Sequence, residues 1–84
     1  MLYARQPTEE EYIELRRMAR QAVGRVSQRA HAVLLSAQRH MVPELAAIFG
    51  VTRETIRSWI HRFNAAGPSG LRDEPHRRHS RVTP

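Results

Sequence analysis

The sequence predicts an all-α domain, and three observations lead to that class. Apolar residues recur at intervals of three and four in four successive segments, the spacing of one face of a helix. Thr, Pro and Gly residues that typically start or stop helices stand between those segments. We find no run with the alternating polar and apolar pattern of a half-buried strand. At 84 residues the chain has room for one small domain.

The first predicted helix covers about residues 9–22. Thr8 and Glu11 have the spacing of a capping box, and three glutamates in the first turn suit the positive end of a helix. Gly24 is the expected break, so residues 1–24 form an N-terminal accessory helix. Its apolar stripe has two interpretations, a docking face on the rest of the domain or the seam of a homodimer. The stripe consists of Tyr12, Leu15, Ala19 and Ala22.

The second and third helices are predicted over about 26–40 and from Pro43 to the residue before Gly50. Ser27 is a candidate cap for the second helix, whose arginines, from 25 to 39, are expected to contact phosphates. Pro43 fits the first helical position because its missing N–H needs no partner there. Gly50 can adopt the left-handed conformation that ends a helix.

The fourth helix is predicted over 52–64, with Thr52 as its N-cap and Gly67-Pro68 as its stop signal. Its inner stripe consists of Ile56, Trp59, Ile60 and Phe63. Core packing is the favoured role of Trp59, and base stacking is the alternative. Residues 72–84 are predicted to be an extended or flexible basic arm.

Residues 45–59 combine a short helix, a tight turn containing glycine and a longer helix. Ala46 is small where the next helix must cross closely, Gly50 follows four residues later, and Val51 fills the turn. This order is that of a helix-turn-helix, so we expect residues 25–71 to form a helix-turn-helix core.

The charge of the chain is unevenly distributed. The net charge is +6, and all 14 basic residues are arginine. Residues 1–24 hold four arginines and four glutamates, whereas residues 25–84 hold ten arginines against four acidic residues. A GC-rich genome can explain the absence of lysine, but it does not explain this distribution. A polyanion, most commonly nucleic acid, is the expected partner.

The outward face of the predicted 52–64 helix carries the candidate DNA contacts. Arg53 and Arg57 could each read a guanine edge, or remain solvated charges. Glu54 could accept from cytosine, although orienting a neighbour or capping is favoured. Ser58 and His61 suit base edges or phosphates. The two threonines near the helix start suit phosphates. The arginines of the arm are expected on the DNA backbone or in the minor groove. The predicted DNA-binding residues are Thr52, Arg53, Glu54, Thr55, Arg57, Ser58, His61, Arg62, Arg77, Arg78 and Arg81.

The residue inventory argues against an enzyme, a metal site and a cofactor. The chain has no cysteine and one aspartate, so it lacks a disulfide framework, a thiolate zinc site and clustered carboxylates for catalytic ions. His76 and His79 are three apart but lie outside any predicted helix. Without an apolar span or a secretory signal, the expected location is the cytoplasm, in association with the nucleoid.

A set of motifs resembles one known family: Gln28–Leu35, Glu44-Leu45-Ala46, Phe49-Gly50-Val51-Thr52, Thr55–Trp59, Arg62-Phe63, Gly67–Asp73 and Pro75. Together they look like the N-terminal helix-turn-helix of bacterial insertion-sequence transposases in the mariner-like superfamily, over about residues 8–78. The resemblance implies a paired- or homeodomain-like three-helix core that binds the terminal inverted repeats of a transposon, here without the catalytic domain.

Two other functions fit the sequence. One is a stand-alone dimeric transcriptional regulator, which would bind two inverted half-sites about one helical turn apart. The other is a protein-interaction or inhibitor module, for which a positive charge confined to residues 25–84 has no evident purpose.

Overall fold

The computed structural model describes residues 2–21 and 24–72, and in these ranges the chain is helical without a strand. The all-α prediction is confirmed. In chain order the elements are α1 (Glu9–Gln21), α2 (Arg25–Ala37), α3 (Val42–Phe49), α4 (Arg53–Ala66) and a 3-10 turn (Gly67–Leu71).

The start of α1 is the predicted capping box. The Glu11 backbone N–H donates to Thr8 Oγ1 at 3.1 Å, and the Thr8 backbone N–H donates to Glu11 Oε1 at 3.0 Å. Two N–H groups that the helix itself leaves unpaired are satisfied in this way. Arg5 adds a bidentate ion pair, with Nη1 and Nη2 at 2.7 and 2.9 Å from the two Glu11 oxygens.

These contacts make the stability of the fold sensitive to acid. The hydrogen bond from Arg5 and then the one from the Thr8 backbone lower the pKa of Glu11 from 4.5 to about 2. Because the folded-state pKa is depressed, the stabilisation is complete above the unfolded-state pKa and is lost as pH falls toward about 2. We expect the unfolding free energies of wild type and Glu11→Gln, measured by urea titration, to converge across that range. Parallel curves would contradict this role of Glu11.

Both ends of α2 differ from the prediction. Gly24 is its N-cap, and the candidate cap Ser27 instead donates its hydroxyl to the Ala19 carbonyl of α1 at 2.8 Å. The helix ends at Ala37, three residues early, because Arg39 adopts a left-handed conformation with φ 77°. The chain therefore turns sharply before α3.

One hydrophobic core joins all the elements. α1 packs against α2 and the 3-10 turn, and α2 also packs against α3 and α4. The largest fully buried side chains of this core are Phe63, Leu15, Leu45, Ile56, Ile60 and Leu71.

Burial of Leu15 and Ala19 corrects the dimer prediction for these two residues. Leu15 is 0% exposed and Ala19 is 9% exposed within the single chain, so neither is available to a second copy. Tyr12 is 42% exposed, and Ala22 lies outside the described residues. Leu15 and Ala19 therefore belong to the docking face of α1.

The sequence did not predict the ordered segment before α1, here called the N-terminal strap (residues 2–7). Ala4 is 1% exposed, and its backbone N–H donates to Ser36 Oγ of α2 at 2.8 Å. The side chain of Gln6 donates to the Ala37 carbonyl at 2.9 Å. The strap therefore covers the C-terminal end of α2.

Asn64 ties the same strap to α4. Its Oδ1 accepts from the Arg5 backbone N–H at 2.8 Å, and its Nδ2 donates to the Tyr3 carbonyl at 3.4 Å. The Arg5 guanidinium lies 4.6 Å from the centre of the Phe63 ring. A polar side chain and a cation–π contact thus bind the first residues of the chain to the last turns of α4.

The sequence placed the segment after α4 in the core without predicting its secondary structure. Gly67 ends α4 as expected, but residues 67–71 form a 3-10 turn and Leu71 enters the core. Gly70 permits this because a Cβ there would lie 2.5 Å from the Arg62 carbonyl oxygen. Arg29 of α2 is buried and donates to the Leu71 carbonyl at 2.9 Å. The predicted phosphate contact of Arg29 is therefore wrong, because its side chain faces the interior.

Candidate nucleic-acid interface

The connection between α3 and α4 is a tight turn built on Gly50. Gly50 has φ 68° and ψ 36°, the left-handed conformation that the sequence predicted. The N–H groups of Gly50 and Val51 both point to the Ala46 carbonyl, the latter at 3.0 Å. These bonds satisfy the end of α3 and set the direction in which α4 leaves.

Gly50→Ala tests the need for a left-handed backbone at this turn separately from the need for space. A Cβ at Gly50 would meet nothing within 4 Å, so the substitution adds no clash. The left-handed backbone alone should lower the unfolding free energy by about 1–2 kcal/mol. Chemical denaturation of the two proteins measures the difference. An unchanged midpoint would show that the turn tolerates a side chain at this φ.

The N-terminus of α4 is capped by Thr52. Its Oγ1 accepts from the Thr55 backbone N–H at 3.1 Å and lies 2.8 Å from Thr55 Oγ1. The two hydroxyls are therefore fixed at the start of the helix, with Thr52 exposed and Thr55 half-buried. Their contact with phosphate stays a prediction.

α4 has one buried and one exposed face, as the sequence predicted. Ile56, Ile60 and Phe63 are 0% exposed, and Trp59 is 6% exposed. Burial of Trp59 supports core packing and removes it as a stacking platform. The opposite side is here called the outward face of α4, and all its members are exposed. They are Arg53, Glu54, Arg57, Ser58 and His61.

The charged groups of this outward face make no ion pair or hydrogen bond within residues 2–21 and 24–72. This includes Glu54, which makes no ion pair or hydrogen bond with Arg57. Elsewhere in the described part of the chain, Arg5, Arg17 and Arg72 are each paired with a glutamate of α1. Arg53 and Arg57 are thus left open to an external anion.

Most acidic residues of the described ranges lie on α1 and not on α4. Within the described ranges, four of the six lie on α1, which packs on α2 and the 3-10 turn rather than on α4. Glu44 of α3 is paired with His40, whose Nδ1 lies 3.0 Å from Glu44 Oε2. Of the outward face, Glu54 alone carries negative charge.

The remaining predicted contacts are placed differently. Arg62 is half-buried, and its Nη2 donates to the Arg72 carbonyl at 3.3 Å, so it also supports the exit from the 3-10 turn. Arg77, Arg78 and Arg81 lie outside the described residues.

Within the described residues, no group of three or more His, Cys, Asp or Glu side chains could hold a metal ion. No described helix is long and apolar enough to cross a bilayer.

A comparison with protein families identifies the unit that contains this surface. A family model described as a helix-turn-helix domain matches residues 28–79. The chain belongs to this helix-turn-helix family. The match includes most of α2 and all of α3 and α4, and a domain of this kind indicates DNA binding. The search of curated proteins and the search of solved structures each found no significant match.

Proposed function

We propose that this helix-turn-helix domain binds double-stranded DNA in a sequence-specific manner, with α4 in the major groove. The observation that carries the proposal is the outward face of α4, where two arginines stand unpaired within the described chain on a helix fixed by its cap and core. A helix of this kind is held rigidly enough to present its side chains to base edges.

The spacing of the two arginines suits adjacent positions of a duplex. Arg53 and Arg57 are four residues apart, so they are about 6 Å apart along the helix axis. Base pairs are stacked at about 3.4 Å, so this separation corresponds to roughly two base-pair steps for a helix aligned with the groove. Each guanidinium can donate two hydrogen bonds to guanine O6 and N7. Ser58 and His61 extend the same face toward neighbouring bases or phosphates.

The finer proposal is recognition of transposon ends. It is supported by the motifs that resemble the insertion-sequence transposases, together with the helical order of the described domain. Recognition of an end predicts one asymmetric site for a single copy of the domain. Arg77, Arg78 and Arg81 are proposed to contact the backbone or minor groove beside that site.

Selection of bound duplexes from a randomised pool at physiological salt tests both levels of the proposal. One enriched asymmetric site supports end recognition, and two inverted half-sites at fixed spacing would favour the dimeric regulator. Retention without enrichment would contradict sequence specificity. No retained DNA would contradict the function itself and favour a protein-interaction module.

A further inference from the structure

A second surface adjoins the outward face of α4, where the N-terminal strap meets the start of α3. A cavity of about 220 Å³ opens there, and we call it the Tyr3 cleft. It is smaller than the roughly 300–1,000 Å³ of pockets that enclose small molecules. Its volume therefore suits one part of a larger ligand lying across it. The lining residues are Leu2, Tyr3, Met41, Val42, Pro43 and Arg57.

The wall formed by Tyr3 also carries a second arginine. The Arg39 guanidinium lies 5.0 Å from the centre of the Tyr3 ring, and Arg39 is exposed. Arg39 and Arg57 thus both adjoin Tyr3, one by stacking on the ring and the other by sharing the cleft. Cationic groups beside an apolar wall match the chemistry of a sugar–phosphate unit.

Arg39 occupies this place at a conformational cost. Within the described residues it is the one residue other than glycine with a positive φ, at 77°. Glycine is usual at such a position after a helix, and a larger side chain is strained there. Such strain, where it persists, is often associated with a functional site. The turn alone favours glycine, so the reason for an arginine at this position lies in its side chain.

The strap holds its side of the cleft in place. Ser36 accepts from the Ala4 backbone, and Asn64 bonds to the backbone on both sides of Ala4, at Tyr3 and Arg5. Tyr3 is therefore fixed relative to α4 before any ligand arrives. The nearby acidic residue of the first turn of α3, Glu44, is already paired with His40.

Resting on the proposed function, we propose that the Tyr3 cleft binds the backbone of the same DNA duplex that α4 reads. The apolar wall packs against a deoxyribose, and Arg39 pairs with a phosphate. Since Arg57 belongs both to the outward face of α4 and to the cleft, the two surfaces form one continuous interface. Phosphate contacts carry no direct sequence information, so Arg39 contributes to affinity and not to base preference.

Arg39→Gly and Arg39→Gln test this assignment with the selected duplex. Glycine relieves the left-handed strain, whereas glutamine keeps it and removes only the charge. Loss of one phosphate contact should weaken binding about fivefold at 0.15 M salt and reduce the slope of log K against log salt by about 0.9. The enriched sequence should stay the same, and a thermal melt of Arg39→Gly checks that the fold is retained.

Arg20→Ala is the matched control, because it removes one exposed arginine from α1, which does not pack against α4. Binding by both Arg39 variants at the level of this control would overturn the backbone contact and leave the proposed function intact. A changed base preference would also overturn it, since Arg39 would then read a base. Failure of the wild type to retain any duplex would overturn both proposals.

Discussion

Arg57→Ala is expected to weaken binding to the selected duplex by about 1–3 kcal/mol, which is roughly 5- to 150-fold. The reason is that Arg57 is exposed, unpaired within the described chain, and one turn along α4 from Arg53. A bidentate contact to guanine loses both hydrogen bonds when the side chain is removed. The loss should therefore be largest for one base pair of the site. Repeating the duplex selection with the variant measures this as relaxed preference at a single position.

The control for Arg57 is again Arg20→Ala, which makes the same change in net charge on α1. It should reduce binding little and equally for all sequences, because a charge on a helix that does not pack against α4 acts on the DNA only through the screened field of the protein. A uniform loss for Arg57→Ala across all sequences would show that Arg57 contacts only phosphate. A thermal melt should show that both variants remain folded, since exposed substitutions usually change stability by less than about 0.5 kcal/mol.

The features that the sequence predicted correctly depend on neighbours within a few residues. The capping box at Thr8 and Glu11, the left-handed turn at Gly50 and the cap at Thr52 are each determined by local backbone geometry. The buried stripe of α4 follows from helical periodicity. For this reason the inner and outward faces of α4 could be assigned from the sequence, and with them the exposed members of the candidate site.

The features that the sequence did not reveal depend on contacts between distant parts of the chain. Arg5 bonds to Asn64 across 59 positions, and Arg29 bonds to Leu71 across 42. No spacing rule relates such pairs, so the strap was not predicted and Arg29 was assigned to the surface. The early end of α2 was not predicted either, because Arg39 takes a left-handed conformation that is usual for glycine. The contribution that we propose for Tyr3 depends on these contacts.

The largest effect on stability is expected for Phe63→Ala. Phe63 is 0% exposed, and it joins the strap to α4 through the Arg5 guanidinium over its ring. Removing a buried phenyl ring costs about 3–5 kcal/mol, from lost transfer free energy and the cavity that remains. A domain of this size has a total stability of roughly 4–13 kcal/mol, so the variant should lose much of it. Urea titration followed by circular dichroism measures the change.

Two comparisons separate this effect from a direct role in binding. Phe63→Leu keeps part of the apolar volume and should be destabilised less, whereas His61→Ala on the outward face should melt close to the wild type. DNA affinity of Phe63→Ala should fall in proportion to its unfolded fraction and recover at lower urea or temperature, with base preference unchanged. Arg57→Ala should show the opposite combination, a retained fold and an altered preference. If Phe63→Ala stayed folded but changed base preference, the core and the outward face of α4 would not be separable as the structure implies.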